Sequence, residues 1–406
     1  MSEVIALSPS HKGAKPGLRI GLLRLTDGAP VIIAQEFGFF AEEGLEVELS
    51  VEPSWANIAD KLAFGFLDAA VIVPPLAFAI QLGLRGRAES LFISYAISAG
   101  GNTVTLARLL ADRVKDLALR QNLRPVGALA LCLREQRVTL GVVHAYSTHN
   151  LLLRYWLAAA GIEAGRDFVI AVVPPASAVE ALGSGQIAGF CAGAPWGEAA
   201  RRMGAGENIA ASRDVWRHAP EKAFALRARW AETHSGAAAG ALRALLRAAK
   251  FCDDPQNSSY IAAVLSRRKY LDVDSHTILA GLPGGPNPGT SCTFYRGAAT
   301  FPWRSHALWF LREMQRWHLI DEAIDLTEQA RLVYRPDLYR AALAPLGEPV
   351  PVLDSKPEGA HDKAWMVEAV PEEIAMPPDS FCDGAVFGPE ALSAAVQPNL
   401  IALHNL

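Results

Sequence analysis

The chain has 406 residues, 51% of them apolar and 20% charged. That is enough to bury a large core, too much for one simple lobe, and it excludes a disordered chain. With 38 Lys and Arg against 42 Asp and Glu, the formal net charge is −4. No wide basic field is available for a nucleic-acid backbone, so no direct nucleic-acid contact is expected.

Residues 1–16 lack a basic start, an unbroken apolar stretch and a small-residue cleavage site, and read as a flexible tail. No run of 18 apolar residues follows, so no membrane span is expected, and the simplest address is cytoplasmic. LRIGLLRL (18–25) reads as a strand, APVIIAQEFGFFAEEG (29–44) as a helix closed by Gly44, and LEVELSVE (45–52) as an alternating strand. SWANIADKLAFG (54–65) is a helix with Ser54 as its N-cap, and LDAAVIVP (67–74) is a strand apolar on both faces. A Leu- and Arg-rich stretch, 106–137, reads as helical. A second series then begins: strand 138–146, the helix NLLLRYWLAAAG, strand 168–175, helix 176–185 and strand 187–195. Beyond about 226 the pattern is mostly helical, notably at 235–254 and 306–320. Two successive α/β series predict an α/β protein of two lobes with a cleft between them. The expected division is 17–105 with 228–406 as lobe I, carrying a helical C-terminal elaboration, and 106–227 as lobe II.

Several predicted helix starts follow directly on strands: Thr26-Asp27 before Pro30, Ser54-Trp55, Ser147-Thr148-His149-Asn150, and Ala194-Pro195-Trp196. Each offers free N–H groups and the positive end of a helix dipole, a combination that favours an anion. Taken singly, Ser54 and Thr148 read as caps, Trp55 and Trp196 as half-buried packing residues, and Lys222 as a solvated charge. Catalytic patterns are lacking. There is no G-x-S-x-G, no Walker loop and no nucleophile set beside a base. His144 and His149 straddle a strand–helix junction without a carboxylate to complete a metal set. Cys132, Cys191, Cys252, Cys292 and Cys382 are scattered, without C-x-x-C spacing, and suit thiols in a reducing compartment. The residues favour a binder over an enzyme.

In order along the chain stand LTDGAPVIIAQEFGFFAEEGLEVEL, SWANIADKLAFGFLDAA, HNLLLRYWLAAAGI, VPPASAVEALGSGQIAGFCAGAPW, HAPEKAFALRARW, FPWRSHALWFLREMQRW and FCDGAVFGPE. Together these resemble the nitrate- and bicarbonate-binding protein family of bacterial ABC uptake systems, over about Leu18 to Leu403. The resemblance implies the two-lobed periplasmic-binding-protein-like (type II) fold. The STHN motif and the apparent lack of an export signal resemble the NasS-type branch of cytoplasmic nitrate and nitrite sensors. That branch implies a NasT-like ANTAR antiterminator as partner, released when nitrate or nitrite binds. The alternative is the substrate-binding component of a nitrate or bicarbonate importer. A third reading, an enzyme of the related pyrimidine-synthesis family, has no catalytic set to support it.

The family's anion contacts fall on Trp55, His149 and Lys222. Its fourth contact, often glutamine, falls in SAGGNTVT on Gly100, so a backbone N–H or the Asn102 side chain stands in its place. Thr26, Asp27, Thr148, Pro195 and Trp196 are expected to line the cleft. Bicarbonate binders of the family carry an acid and a metal at the Lys222 position; lysine implies nitrate or nitrite, with no metal and no cofactor. Chemically, a planar, weakly basic monoanion needs a few aimed donors and one cation. Charge-assisted bonds of about 1.5–3 kcal/mol each would bring three or four such contacts to micromolar affinity, roughly −8 kcal/mol.

Overall fold

In chain order the strands of the two main sheets are β1 (Gly17–Leu22), β2 (Glu46–Val51), β3 (Ala69–Ile72), β4 (Leu91–Gly100), β5 (Asn102–Ala107), β6 (Thr139–Val142), β7 (Val169–Val172), β8 (Gly189–Gly193), β9 (Gly206–Ala211), β10 (Pro220–Arg227) and β11 (Cys292–Thr293). The computed structural model describes residues 17–388. The expected tail at 1–16 and the chain from 389 on, with the end of the FCDGAVFGPE motif, lie outside the described residues.

The first sheet has the order β11-β4-β10-β3-β1-β2 and the second β7-β6-β8-β5-β9. Each combines a parallel trio with antiparallel neighbours: β1 pairs parallel with β2 and β3, and β6 parallel with β7 and β8. β10 runs antiparallel between β3 and β4, and β5 antiparallel between β8 and β9. β3 reads AAVI and is buried throughout, as expected of a strand covered on both faces.

The chain leaves the first sheet at Gly100-Gly101 and returns to it through 212–219, so the lobes divide at those two crossings rather than at 105 and 227. Both glycines take positive φ, 74° and 83°. At Gly101 a side chain is also excluded by space, since a Cβ there would lie 2.4 Å from Cys292 Sγ.

The expected helix at 29–44 is two helices, Ala29–Glu36 and Phe39–Glu42, parted by the left-handed Gly38. The helix Trp55–Ala63 starts as expected, with Ser54 Oγ accepting from Asn57 N. The helix Thr148–Ala159 starts one residue earlier than expected: its cap is Ser147, which accepts from Asn150 N, and Thr148 is the first helical residue. The stretch 106–137 forms the helices Arg108–Gln121 and Pro125–Glu135.

One apolar cluster runs without a break from Trp55, Ile72 and Phe78 of the first lobe through Leu151 and Trp156 of the second to Trp216, Trp309 and Phe310. A second cluster fills the first lobe under the long helix Ser235–Asp253. The chain's later part then straps the lobes together. Arg217 N donates to Ser380 O and Cys382 N to Val215 O, at 3.1 and 2.8 Å. Phe381 packs on Trp216 at 4.7 Å between ring centroids, and Tyr155 Oη donates to the Asp383 carboxylate at 2.9 Å.

Candidate functional site

Where the lobes face each other, five segments deliver charged or polar side chains to one buried point. From the first lobe come Thr26 and Asp27, just after β1, and Trp55 at the first position of its helix. β10 brings Glu221 and Lys222. From the second lobe come Asn102 at the start of β5, and Thr148 and His149 in the first turn of their helix. Trp55, Asn102, Lys222 and Glu221 are each 1% exposed, Asp27 is 2%, and Thr26, Thr148 and His149 are 0%.

Lys222 is the centre of charge. Its Nζ lies 2.9 Å from Asp27 Oδ2, contacts Glu221 Oε1, and stands 5.6 Å from the centre of the Trp55 ring. Glu221 reaches across the lobes. Its Oε2 accepts from Asn102 Nδ2 at 2.6 Å, its Oε1 lies 3.2 Å from His149 Nε2, and its carbonyl accepts from Thr148 Oγ1 at 3.4 Å. Although the His149 pair is close, neither ring nitrogen makes a well-directed hydrogen bond. Thr26 Oγ1, Trp55 Nε1, Ser98 Oγ, Asn102 Oδ1 and both His149 nitrogens are buried polar atoms without a hydrogen-bond partner among the described residues. Such atoms are rare in folded proteins, and here six of them gather around one lysine. Ser98 joins the group because it is Lys222's partner across the β4–β10 ladder.

Burial governs the protonation states. It pushes Asp27 upward against the opposing pull of Lys222. Burial pulls Lys222 down, but Asp27 and Glu221 outweigh it and leave the ammonium more firmly protonated than usual. Burial and the Lys222 charge drive His149 well below its ordinary value, so its imidazole is neutral, one nitrogen able to donate and the other to accept.

The remaining expected residues separate from this group. Gly100 donates its N–H to Ala219 O at 2.9 Å, so that N–H is not free to serve as the fourth contact. It lines a different cavity of about 390 Å³, beside Arg213, Arg217, His218 and Arg296. Of the two alternatives at the fourth position, it is the Asn102 side chain that reaches the cluster. Trp196 donates its indole N–H to Arg24 O at 3.0 Å, and Thr26 N donates to Ala194 O at 2.8 Å. Trp196 therefore fastens lobe to lobe, and Pro195 stands at the N-terminus of its helix, accepting from Ala199 N. Glu221 was passed over in the sequence because nothing marks a glutamate beside a lysine as more than a solvated pair; only the β10 register buries it.

Among the described residues, no group of three or more His, Cys, Asp and Glu is arranged to hold a metal ion. No helix there is long and apolar enough to cross a membrane.

Comparison with known proteins adds the following. Residues 11–266 match the NMT1-like family. The chain is 34% identical over 350 residues to the nitrate import ATP-binding protein NrtC of Synechocystis sp., covering 82% of this chain and 51% of that protein. It is 30% identical over 389 residues to the nitrate/nitrite binding protein NrtA of Synechocystis sp., covering 92% of this chain and 82% of that one. The chain thus spans about half the length of the ATP-binding relatives it matches and about four-fifths of NrtA. Among solved structures it superposes on the periplasmic nitrate-binding protein NrtA from Synechocystis PCC 6803 with a TM-score of 0.79 at 28% identity, over 92% of this chain and 96% of that one. The two-lobed α/β architecture is that of the periplasmic binding proteins.

Proposed function

The chain belongs to the NMT1-like family, and from that premise we propose that it binds nitrate or nitrite between its lobes and is a binding protein without catalytic activity. The observation that carries this reading is the convergence of Lys222, His149, Trp55 and Asn102, one fixed cation among buried polar groups lacking partners, at the lobe junction. A small planar monoanion suits that set: Lys222 supplies charge and up to three donors, His149 and the Trp55 indole one donor each. A full aqueous shell could not follow it into so dry a site, which favours a weakly hydrated anion. The names of the relatives support the same ligand.

For the protein's role, our reading is a cytoplasmic nitrate/nitrite sensor that holds a NasT-like antiterminator until the anion binds, the lobe arrangement being the switch. The Ser147–Asn150 motif at the site supports it. The import reading, in which the chain delivers nitrate or bicarbonate to an ABC permease, draws on the similarity to NrtA and NrtC. Calorimetric titration with sodium nitrate and sodium nitrite tests the ligand; saturable micromolar binding is expected, and its absence for both anions rejects the reading. Gel filtration with a NasT-like antiterminator tests the role. Co-elution without nitrate and separation at saturating nitrate are expected; a complex indifferent to nitrate rejects the sensor.

A further inference from the structure

Among the groups that meet at the lobe junction, Asp27 and Glu221 carry negative charge and Lys222 positive, while His149 is neutral. The cluster therefore already holds one net negative charge in a space closed to water. A monoanion added without compensation raises that to two, at a depth where each uncompensated charge costs several kcal/mol. Moreover, the best anion position on Lys222 is taken. The Asp27 carboxylate sits 2.9 Å from Nζ, and a carboxylate is itself a planar, delocalised oxyanion group of nearly the same O-to-O span as nitrate or nitrite.

We propose that Asp27 is a resident occupant of the anion position on Lys222, and that the anion binds by displacing it with uptake of one proton by the Asp27 carboxyl. This rests on the anion-binding reading above.

The two carboxylates are not equivalent, and their surroundings decide which one yields. Glu221 is held from three sides, by Lys222 on its own strand, Asn102 of β5 and His149 of the second-lobe helix. Among the described residues Asp27 has one polar side-chain contact, Lys222. Its other neighbours are the bare Gly193 of β8, where a Cβ would stand 3.2 Å from Asp27 Oδ2, and the buried thiol of Cys292 on β11. Glu221 faces it as a like charge, and burial also favours its neutral form. Once an anion takes Lys222, Asp27 loses the only cation that kept it ionised, so protonation follows from the exchange. A neutral Asp27 then offers an O–H, and the carboxylate that competed for the site becomes a donor to the guest. The device also selects by charge: a dianion would need a second proton, which Glu221, already tied to Lys222, Asn102 and His149, or the neutral His149 would have to take up.

Linkage gives the sign. The complex holds more protons than the free protein, so affinity falls as pH rises, tenfold per pH unit while Asp27 is ionised in the free form and protonated in the complex. Calorimetry with sodium nitrate at fixed pH, in buffers of different ionisation enthalpy, counts the protons directly on the wild-type protein. Uptake of about one proton per nitrate is expected, together with a tenfold rise in Kd per pH unit. Asp27→Asn removes the titrating group at nearly constant shape and is expected to bind with no uptake and a pH-independent Kd. His149→Gln is expected to keep the uptake, whatever its affinity. Wild-type binding without proton uptake, or uptake that survives in Asp27→Asn or vanishes in His149→Gln, overturns the proposal and leaves the ligand reading standing. No nitrate binding by the wild type at any pH overturns both.

Discussion

Lys222 is a residue whose removal acts on two properties at once, and the structure separates them. Lys222→Ala is expected to abolish nitrate binding, because it takes the only cation from a buried site. It also leaves Asp27 and Glu221 facing each other without a counter-ion, a change that destabilises a buried pair by about 3–5 kcal/mol. Adding Asp27→Asn to Lys222→Ala is expected to restore part of that stability in denaturant melts and none of the binding by calorimetry. Binding that returns in the double variant would show that Lys222 serves only to offset Asp27 and does not itself hold the anion. At this scale the sequence was informative only where a motif carried a resemblance. Trp55, His149 and Lys222 were found that way and do meet. Glu221, which joins both lobes through its two oxygens and its carbonyl, carries no local signal, because its importance lies in contacts with residues 72 to 119 positions distant.

At the scale of elements, hydrophobic period and capping chemistry located the β1–β3 and β6–β8 series, the buried inner strands β3 and β8 as apolar runs and the edge strand β2 as an alternating one. The antiparallel strands β4, β5, β9 and β10 were not legible. They mix Ser, Thr, Asn, Glu and Lys into buried positions, and their partners are set by the chain crossing between lobes rather than by any local period. Those are the strands that carry Ser98, Asn102, Glu221 and Lys222, so the sequence left unread the elements the site depends on most. The helix starts at 29, 55 and 235 stand where expected, and those expected at 176 and 306 lie two residues away, at Ala178 and Arg304. The shift from Thr148 to Ser147 matters, because it frees the Thr148 hydroxyl for Glu221 O and sets His149 in the first turn, aimed at the cluster. Ser147→Ala removes the cap bond to Asn150 N and the bond from its own hydroxyl to His144 O. It is expected to lower unfolding free energy by about 1–2 kcal/mol and to weaken nitrate binding through the misplaced ring. Full affinity in a measurably destabilised Ser147→Ala protein would detach the cap from the site.

For the molecule as a whole, the contacts between lobes decide how far they can part. Trp196 to Arg24, Thr26 to Ala194 and Glu221 to Asn102 close the front. Residues 380–385 cross the back and bind the second-lobe helix through Tyr155 and Asp383. Tyr155→Phe takes the phenol bond from the Asp383 carboxylate and leaves the one from Ala385 N at 3.0 Å, and is expected to cost about 1–3 kcal/mol. Limited proteolysis should then cut near 380–388 faster than in the wild type, and nitrate should slow that cut less effectively. Equal cutting rates would mean that the strap is held without the Tyr155 bond, by its backbone bonds to Val215 and Arg217 and its apolar contacts to Trp216 and Trp309.

The position of β10 in the first sheet carries a consequence for how the molecule comes into being. It lies between β3 and β4, yet its first residue stands 120 positions after the last residue of β4, with every strand of the second sheet made in between. A ribosome therefore releases the whole second lobe before the first can complete its sheet, and until then β3 and β4 present unpaired edges to solvent. Pairings of such wide sequence separation form late and slowly, and exposed edges in the meantime invite association with other chains. Lys222 rides on that late strand, so the nascent chain acquires its charge centre only after every strand of the second sheet has been made.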